Sequence, residues 1–594
     1  MTARRFTRRT ILGGTGAALA ASTATGRSIF AHSEEHAAHD APAFHKFHGQ
    51  AANIPTPREQ TLVFTATPTQ VFDSFNPYIP NGQAEHYGLA QVCREYLFYF
   101  NLETGETRNG LGEGWEYNQD FTEVTLRLNP RAAWSDGVPV TSEDIVFSIN
   151  LLAENTNLFG AGQVRDNVAS VEAIDEHTVL FSLSRPNPRY HYNFVAGIVV
   201  AGFLPQPKHI WENQDPTSFP NNPPIYSGPY TLEEANADQL MYIWRKNPDY
   251  WDRENLDPKP EFIIWRQEQP VDLEVQEFQR GNVDGTAPIT IDYLNQQVLA
   301  ESYDKTLLFN FSDPCPRSLF PNFDGPSGLM ASPEGRWAIS YLIDRQVAAE
   351  VLSQPPSEPA KFPWAAYGSN EKWSNPEIQQ QYDFTFDLDR AAEMLDAAGA
   401  TLVDGQRQLN GEPLTVSIIT PVVVTDPGYQ IADMVVRNAA EVGLQMELTS
   451  LTGGTHGDAN DFGDFDINAQ WMCGLVFDPV QMYSQFLMRD YVPVGERALD
   501  NRNRVQLPEF DEVVTELESL DPNDEANMPM FDRALELYFQ GLPVIPSAQT
   551  MFSFPFSTAY WTGWPTEDNR YAIAASWWSQ FRFVIGALEP AGSE

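Results

Sequence analysis

The chain has 594 residues, of which 42% are hydrophobic and 12% aromatic, so it can bury a large core and should contain more than one domain. Its formal net charge of −43 is opposite in sign to the basic surface that nucleic-acid binding requires, and we expect no nucleic-acid partner. Such a surface suits a soluble protein in a salty medium, where counterions screen self-repulsion, although any acidic secreted protein would fit.

The N-terminus predicts an export signal over residues 1–32. Arg4-Arg5 and Arg8-Arg9 form a basic region with a twin-arginine pair, and residues 11–24 are a small-residue apolar run too short for a mature membrane span. This pattern is typical of a Tat-type signal. With no cysteine nearby to carry a lipid anchor, we expect a periplasmic protein.

Residues 33–59 are polar and follow the signal as a flexible linker. Histidine is frequent around it, at His32, His36, His39, His45 and His48. A weak, flexible metal site is one interpretation, but the spacing matches no closed zinc motif, and we expect no bound metal.

The next elements are predicted from local patterns. Residues 61–67 (TLVFTAT) indicate a strand, and alternation over residues 124–128 indicates another. Asp136-Gly137 is a turn signal. Thr141 followed by Asp144 resembles a capping box, with Asp where Glu or Gln is usual, and it begins a helix. Residues 171–183 then predict a hairpin.

The second half predicts a mixed sheet with packed helices. Residues 307–311 indicate a buried strand. Asp387 should cap a helix that Gly399 ends. The order that follows, strand 414–420, helix 429–442, strand 444–451 and strand 465–471, is a βαβ pattern.

Catalytic signatures are missing from the sequence. Gly325-Pro326-Ser327-Gly328 has the wrong spacing for a nucleophile elbow. There is no H-E-x-x-H motif, phosphate loop or dinucleotide-binding glycine pattern. Cys93, Cys315 and Cys473 are widely spaced, so one disulfide is possible but its partners cannot be assigned. We therefore expect a binding protein without enzymatic activity, cofactor or resident metal.

Several segments resemble a known family in the family's own order. They are Trp134–Gly137 followed by Pro139–Phe147, then Tyr226–Tyr230, Asn247–Trp251, Phe278–Gly285 and Gly335–Arg345. Together they are similar to family 5 extracytoplasmic solute-binding proteins of ABC importers, over roughly residues 60–594.

The resemblance implies an α/β, periplasmic-binding-protein-like two-lobed clamp of the large type II kind, with mixed sheets and an extra insertion domain. Lobe I would comprise residues 60–100, 225–305 and 545–594, the insertion domain residues 101–224, and lobe III residues 306–544. A monomer that delivers its solute to the transmembrane subunits of an ABC permease is implied.

The resemblance also implies a solute site between the lobes. Its candidate residues are Asn81, Asn310, Asn468, Trp471, Asp478 and Trp564.

The class of solute is less determined by the resemblance. Peptide-binding relatives hold charge where this chain has Asn468 and Gly474, and the first acid after Trp471 is Asp478. The run around Trp564 (GWPTEDNRYA) resembles the cello-oligosaccharide-binding subgroup. These features favour a small neutral oligosaccharide held by aromatic stacking. A di- or oligopeptide is the alternative, ahead of a nickel chelate or an opine. A secreted glycoside hydrolase is the alternative of another class.

Overall fold

A computed structural model describes residues 54–66, 72–78, 86–196, 203–286, 291–422, 424–451, 453–473 and 477–592. The predicted export signal, the five clustered histidines, Asn81 and Gly474 lie outside the described residues. Within the described part of the chain, no helix is both long enough and apolar enough to cross a membrane.

The strands have the following bounds: β1 (Thr61–Ala66), β2 (Phe98–Asn101), β3 (Glu106–Asn109), β4 (Gly112–Tyr117), β5 (Glu123–Leu128), β6 (Val168–Asp175), β7 (Thr178–Leu183), β8 (Val195–Ala196), β9 (Tyr230–Asn236), β10 (Met241–Lys246), β11 (Phe262–Gln267), β12 (Thr306–Ser312), β13 (Arg317–Pro321), β14 (Glu358–Pro359), β15 (Ala400–Val403), β16 (Gln406–Leu409), β17 (Glu412–Pro413), β18 (Thr415–Thr420), β19 (Gln445–Ser450), β20 (Ile467–Trp471), β21 (Ile545–Gln549), β22 (Met551–Ser557), β23 (Trp561–Thr562) and β24 (Glu589–Pro590).

The helices are α1 (Ser142–Glu154), α2 (Ala161–Asn167), α3 (Lys208–Trp211), α4 (Val271–Gln279), α5 (Tyr293–Ser302), α6 (Pro333–Tyr341), α7 (Arg345–Val347), α8 (Pro376–Gln379), α9 (Leu388–Ala397), α10 (Pro427–Glu441), α11 (Gly454–Phe462), α12 (Pro479–Tyr483), α13 (Pro508–Leu517), α14 (Met528–Gly541) and α15 (Phe581–Ala587).

The structure confirms the strand predicted over residues 124–128, the hairpin predicted over residues 171–183 and the helix predicted after Thr141. Helix α1 begins after Thr141 with the capping box in place, and an Asp144 Oδ2 accepts a hydrogen bond from the Thr141 N–H at 2.9 Å. The other Asp144 oxygen accepts one from the Lys208 N–H at 2.8 Å. Asp144 therefore joins the start of α1 to the later Pro207-Lys208 segment, which is a reason for an acid at this position beyond capping.

The first large sheet has the order β9-β10-β11-β1, with β1 and β11 parallel. Gly285 bridges β1 to β22, which pairs antiparallel with β12. A side chain at Gly285 would place its Cβ 2.7 Å from the Phe64 ring, so the bridge requires glycine. The neighbouring Asp284 accepts hydrogen bonds from the Val63 N–H at 2.8 Å and from Arg58 at 2.6 Å.

The second large sheet has the order β14-β21-β13-β20-β18-β19. Strand β18 is parallel to β19 and β20, whereas β13 is antiparallel to β20 and β21. The predicted mixed sheet is thus confirmed. Two main hydrophobic cores correspond to the two sheets. The first core lies around β1, β5 and β22, and the second core lies around β13, β18 and β20.

Two elements differ from their predictions. The segment Gly335–Arg345, which resembles a helix of the family, is not one helix: α6 ends at Tyr341, and α7 begins after Asp344, whose carboxylate accepts a hydrogen bond from the Val347 N–H. Strand β12 is not uniformly buried: Phe309 and Phe311 are buried and alternate with half-buried residues, because β12 covers the first core with one face only.

Candidate functional site

Two crossing segments connect the cores: residues 313–316 between β12 and β13, and Thr550 between β21 and β22. They are hydrogen-bonded to each other. The Asp313 N–H donates to the Thr550 carbonyl at 2.9 Å, and the Gln549 amide donates to the Asp313 carbonyl at 3.0 Å. The Thr550 hydroxyl lies 3.1 Å from Asp313 Oδ2. The two connections therefore form one polar unit at the junction of the cores.

Trp471 lies at the end of β20 beside this unit. The strand register places it opposite Arg317, whose guanidinium carbon is 5.9 Å from the indole centroid. The side chain is 41% exposed, which is high for a tryptophan. A disulfide between Cys315 and Cys473 ties the 313–316 segment to the residues that follow Trp471. This assigns the bond left open by the sequence, and Cys93 is free and buried.

The charges near Trp471 are paired. Arg317 donates to Asp313 at 3.0 Å and to Asp426 at 3.4 Å. Burial alone would lower the pKa of Arg317, but the two carboxylates raise it overall, so the side chain stays cationic. Burial also raises the pKa of Asp313, and Arg317 opposes that effect. Two acids against one arginine leave this corner anionic while both are ionised.

A cavity of about 130 Å³ adjoins these charges, and its walls come from both cores. Gln296 of α5 and Ser553 of β22 line it. Among the described residues, Gln296 Oε1 and Ser553 Oγ are buried without a hydrogen-bond partner. The cavity wall thus contains charged side chains and two residues that carry buried polar atoms without a partner in the described part of the chain.

Asn310 lies close to the C-terminal run predicted for sugar binding. It is opposite Ser553 in the β12–β22 pair, and its own Oδ1 is buried without a partner in the described part of the chain. Its N–H donates to Glu567 at 3.3 Å, and its carbonyl accepts from Arg570 at 2.9 Å. The GWPTEDNRYA run therefore reaches this strand through Glu567 and Arg570.

Trp564 and Asn468 are buried and make their contacts with other residues of the protein. The Trp564 ring is 4% exposed and stacks on Phe556 at 4.4 Å between centroids. Asn468 is fully buried, with its amide oxygen 3.1 Å from His456 Nε2 and its amide nitrogen donating to Asn460. In this conformation neither side chain offers a free face or a free polar atom to a solute, and their predicted role in binding stays a prediction.

Asp478 is fully buried, and its oxygens are taken. Oδ1 accepts from the Val480 N–H at 2.9 Å and so caps α12. Oδ2 accepts from Arg189 Nε at 2.8 Å and from the Tyr192 hydroxyl at 2.7 Å. Its predicted contact with a solute is likewise untested.

An aromatic cavity of about 320 Å³ lies where residues of the two cores meet, and among the described residues that line it there is none of the predicted site residues. Trp115 stacks on His191 at 4.8 Å, and Tyr192 stacks on Phe477 at 4.2 Å. Burial lowers the pKa of His191 to about 3, so the ring is neutral near pH 7. The sequence feature that could have indicated this cavity is the aromatic run at residues 190–194, but such a run is equally typical of a hydrophobic core.

Comparison with known proteins assigns the chain to a family. Residues 106–490 match the model of bacterial extracellular solute-binding proteins, family 5. The chain is similar to the "Probable peptide-binding protein YejA" of Agrobacterium fabrum, with 27% identity over 248 residues, 40% of this chain and 39% of that relative. The match thus spans about two-fifths of that relative's length. It is 23% identical to the periplasmic oligopeptide-binding protein OppA of Salmonella typhimurium over 75% of this chain and 79% of OppA.

Solved structures share the architecture. The periplasmic oligopeptide-binding protein of an oligopeptide ABC transporter from Thermotoga maritima superposes with a TM-score of 0.78 at 23% identity, covering 90% of this chain and 100% of that one. The structure of that protein with bound mannohexaose gives 0.73 at 22% identity over the same shares. The predicted α/β periplasmic-binding-protein fold with mixed sheets is confirmed, in a family of binding proteins and not of enzymes. The chain belongs to family 5 of the bacterial extracellular solute-binding proteins.

Proposed function

We propose that this protein is the extracytoplasmic receptor of an ABC importer, which captures a small neutral oligosaccharide between its two cores and delivers it to the membrane permease. In this proposal most of the second core belongs to lobe III at residues 306–544, and lobe I and the insertion domain share most of the first core. Exceptions at the boundaries are Phe309 and Phe311, which pack in the first core, and Ile545 and Ala548, which pack in the second. We further propose that it is exported through a Tat-type signal over residues 1–32 and acts as a monomer.

Closure about the crossing segments would couple binding to delivery. A solute that contacts both cores stabilises the arrangement in which they approach, by the difference between its affinities for the two arrangements. The hydrogen bonds between Asp313, Gln549 and Thr550 keep the two connections together during such a motion. No chemical step is required.

The exposed indole of Trp471 is the observation that carries the proposal. A large aromatic ring held at a strand end and open to solvent is suited to stacking on the apolar face of a sugar. Asn310 Oδ1, which has no hydrogen-bond partner among the described residues, and Asn81 of the proposed lobe I would supply neutral hydrogen-bonding groups that fix the orientation of the sugar. The mannohexaose-bound relative supports the same class of solute.

A peptide is the second candidate, because charges lie beside the same indole. Asp426 is 24% exposed and could pair with a peptide amino group, while Arg317 is occupied by its two carboxylates. The names of YejA and OppA favour this solute class as well.

Melting-temperature shifts with mannohexaose, a cello-oligosaccharide and di- to pentapeptides would test the proposal. A solute at 100 times its Kd stabilises the native state by about 2.7 kcal/mol, which is easily measured. We expect the sugars to stabilise the protein and the peptides to have no effect. Asp426→Asn should leave sugar affinity unchanged, as should the control Asp433→Asn on the same helix. Peptide binding that is lost in Asp426→Asn alone would contradict the sugar assignment.

A further inference from the structure

Arg189 joins the two cores through a set of hydrogen bonds. Its side chain is 9% exposed. Its Nε donates to Asp478 at 2.8 Å, and its Nη1 donates to the carbonyls of Leu517 and Leu520, both at 2.8 Å, and of Glu518 at 3.2 Å. All four acceptors come from residues 478–520, far from Arg189 in the chain.

The partners belong to different cores. Arg189 precedes a helical turn whose Tyr190 and Phe194 are packed in the first core. Asp478 caps α12, and Leu517 ends α13, in the second core. Arg189 and Asp478 are separated by 289 residues, so this contact, unlike the crossing segments, is not enforced by chain connectivity. It forms only while the cores are held as seen here.

The carboxylate and carbonyl acceptors of the second core suit a cationic side chain from the first core. A helix leaves several carbonyls at its C-terminal end without intrahelical donors, and the helix dipole makes this end negative. At the end of α13 the Leu517 carbonyl accepts from the Leu520 N–H at 3.2 Å as well as from Arg189. Asp478 adds a full negative charge within hydrogen-bonding distance. Moving Arg189 away would leave a buried carboxylate with one partner fewer, which is unfavourable.

Tyr192 reinforces the same contact. Its hydroxyl donates to Asp478 Oδ2 at 2.7 Å, and its ring stacks on Phe477 at 4.2 Å. A second ion pair spans the same segments, since Arg185 lies 3.6 Å from Glu518, but Arg185 is 54% exposed. The buried contact and the exposed one therefore offer a matched comparison.

We propose that Arg189 and Tyr192, bound to Asp478 and the end of α13, form a clasp that holds the two cores together, so that they set solute affinity without touching the solute. In this proposal Asp478 holds the two cores together and does not contact the solute. Its consequence for affinity rests on the proposed function, whereas its effect on the arrangement of the cores does not.

The arrangement can be measured directly in the solute-free protein. Spin labels at Ser170→Cys on β6, which packs on the first core, and at Ala440→Cys on α10, which packs on the second, report the distance between the cores, and both sites are exposed. Cys93 is buried and the other cysteines are in a disulfide, so labelling is confined to the new thiols. The variants are Arg189→Ala, Arg189→Lys and Tyr192→Phe, with Arg185→Ala as the control and melting temperature as the check on folding.

We expect Arg189→Ala to shift the distance distribution towards longer values, Arg189→Lys and Tyr192→Phe to shift it less, and Arg185→Ala to match the parent protein. With mannohexaose as the probe, Arg189→Ala should raise the dissociation rate about tenfold and change the association rate little. Distance distributions that are the same for Arg189→Ala and the parent would overturn the clasp. Failure of mannohexaose to bind any variant would instead count against the proposed sugar, while the distances still decide on the clasp.

Discussion

The replacement Trp471→Ala separates a binding role from a structural one. Trp471 is 41% exposed, and its described ring interaction is with the Arg317 guanidinium at 5.9 Å. An exposed cation–π contact is worth about 0.5–1 kcal/mol. Because much of the ring already contacts solvent, we expect the free energy of unfolding to fall by only about 1–2 kcal/mol, less than the 3–5 kcal/mol typical of a buried tryptophan.

Binding should respond more than folding. If the indole is the main platform for a sugar ring, its removal should cost about 2 kcal/mol or more, as for aromatic residues at the centre of interfaces. That corresponds to an increase in Kd of roughly 30-fold. Trp471→Phe keeps an aromatic face and should cost less.

Trp564→Ala is the matched contrast. Trp564 is 4% exposed and stacked on Phe556, so we expect a loss of about 3–5 kcal/mol in the free energy of unfolding. Because both the burial and the stacking cover the ring, the fraction that stays folded should bind with unchanged Kd, and a raised Kd would instead support the binding role that the sequence predicts for Trp564. Calorimetric titration with mannohexaose and urea unfolding of both variants give the two quantities. Unchanged sugar affinity in Trp471→Ala would refute the assignment of Trp471.

Two further replacements test packing and ionisation. Gly285→Ala should lower the free energy of unfolding by about 1–3 kcal/mol, because its Cβ would lie 2.7 Å from the Phe64 ring. The control Gly114→Ala, whose Cβ would have its nearest neighbour 4.0 Å away, should change that free energy by less than about 0.5 kcal/mol. Equal urea midpoints for the two variants would contradict this. Since burial lowers the pKa of His191 from 6.5 to about 3, acid favours the unfolded chain, and His191→Phe should flatten the loss of stability between those pH values in urea unfolding. A constant difference from the parent across that range would count against it.

Local structure could be read from the sequence where neighbouring residues decide it. The Thr141–Asp144 capping box lies within one helical turn, and the Asp387 cap and Gly399 end of α9 need only nearby backbone groups. Strand alternation over residues 124–128 likewise follows from one buried face. The order of such segments along the chain produced the family resemblance, and the resemblance predicted the fold.

Only the tertiary structure decided which side chains are exposed and able to contact a solute. Nothing local distinguishes Trp471 from Trp564: one ends a strand at the junction of the cores and is exposed, and the other is covered by Phe556. The family resemblance makes Asp478 a candidate solute contact, but Arg189, 289 residues away, occupies its carboxylate. Cys315 and Cys473 pair across 158 residues for the same reason. Exposure and long-range pairing depend on how whole sheets meet, and a linear pattern records only the spacing within each element.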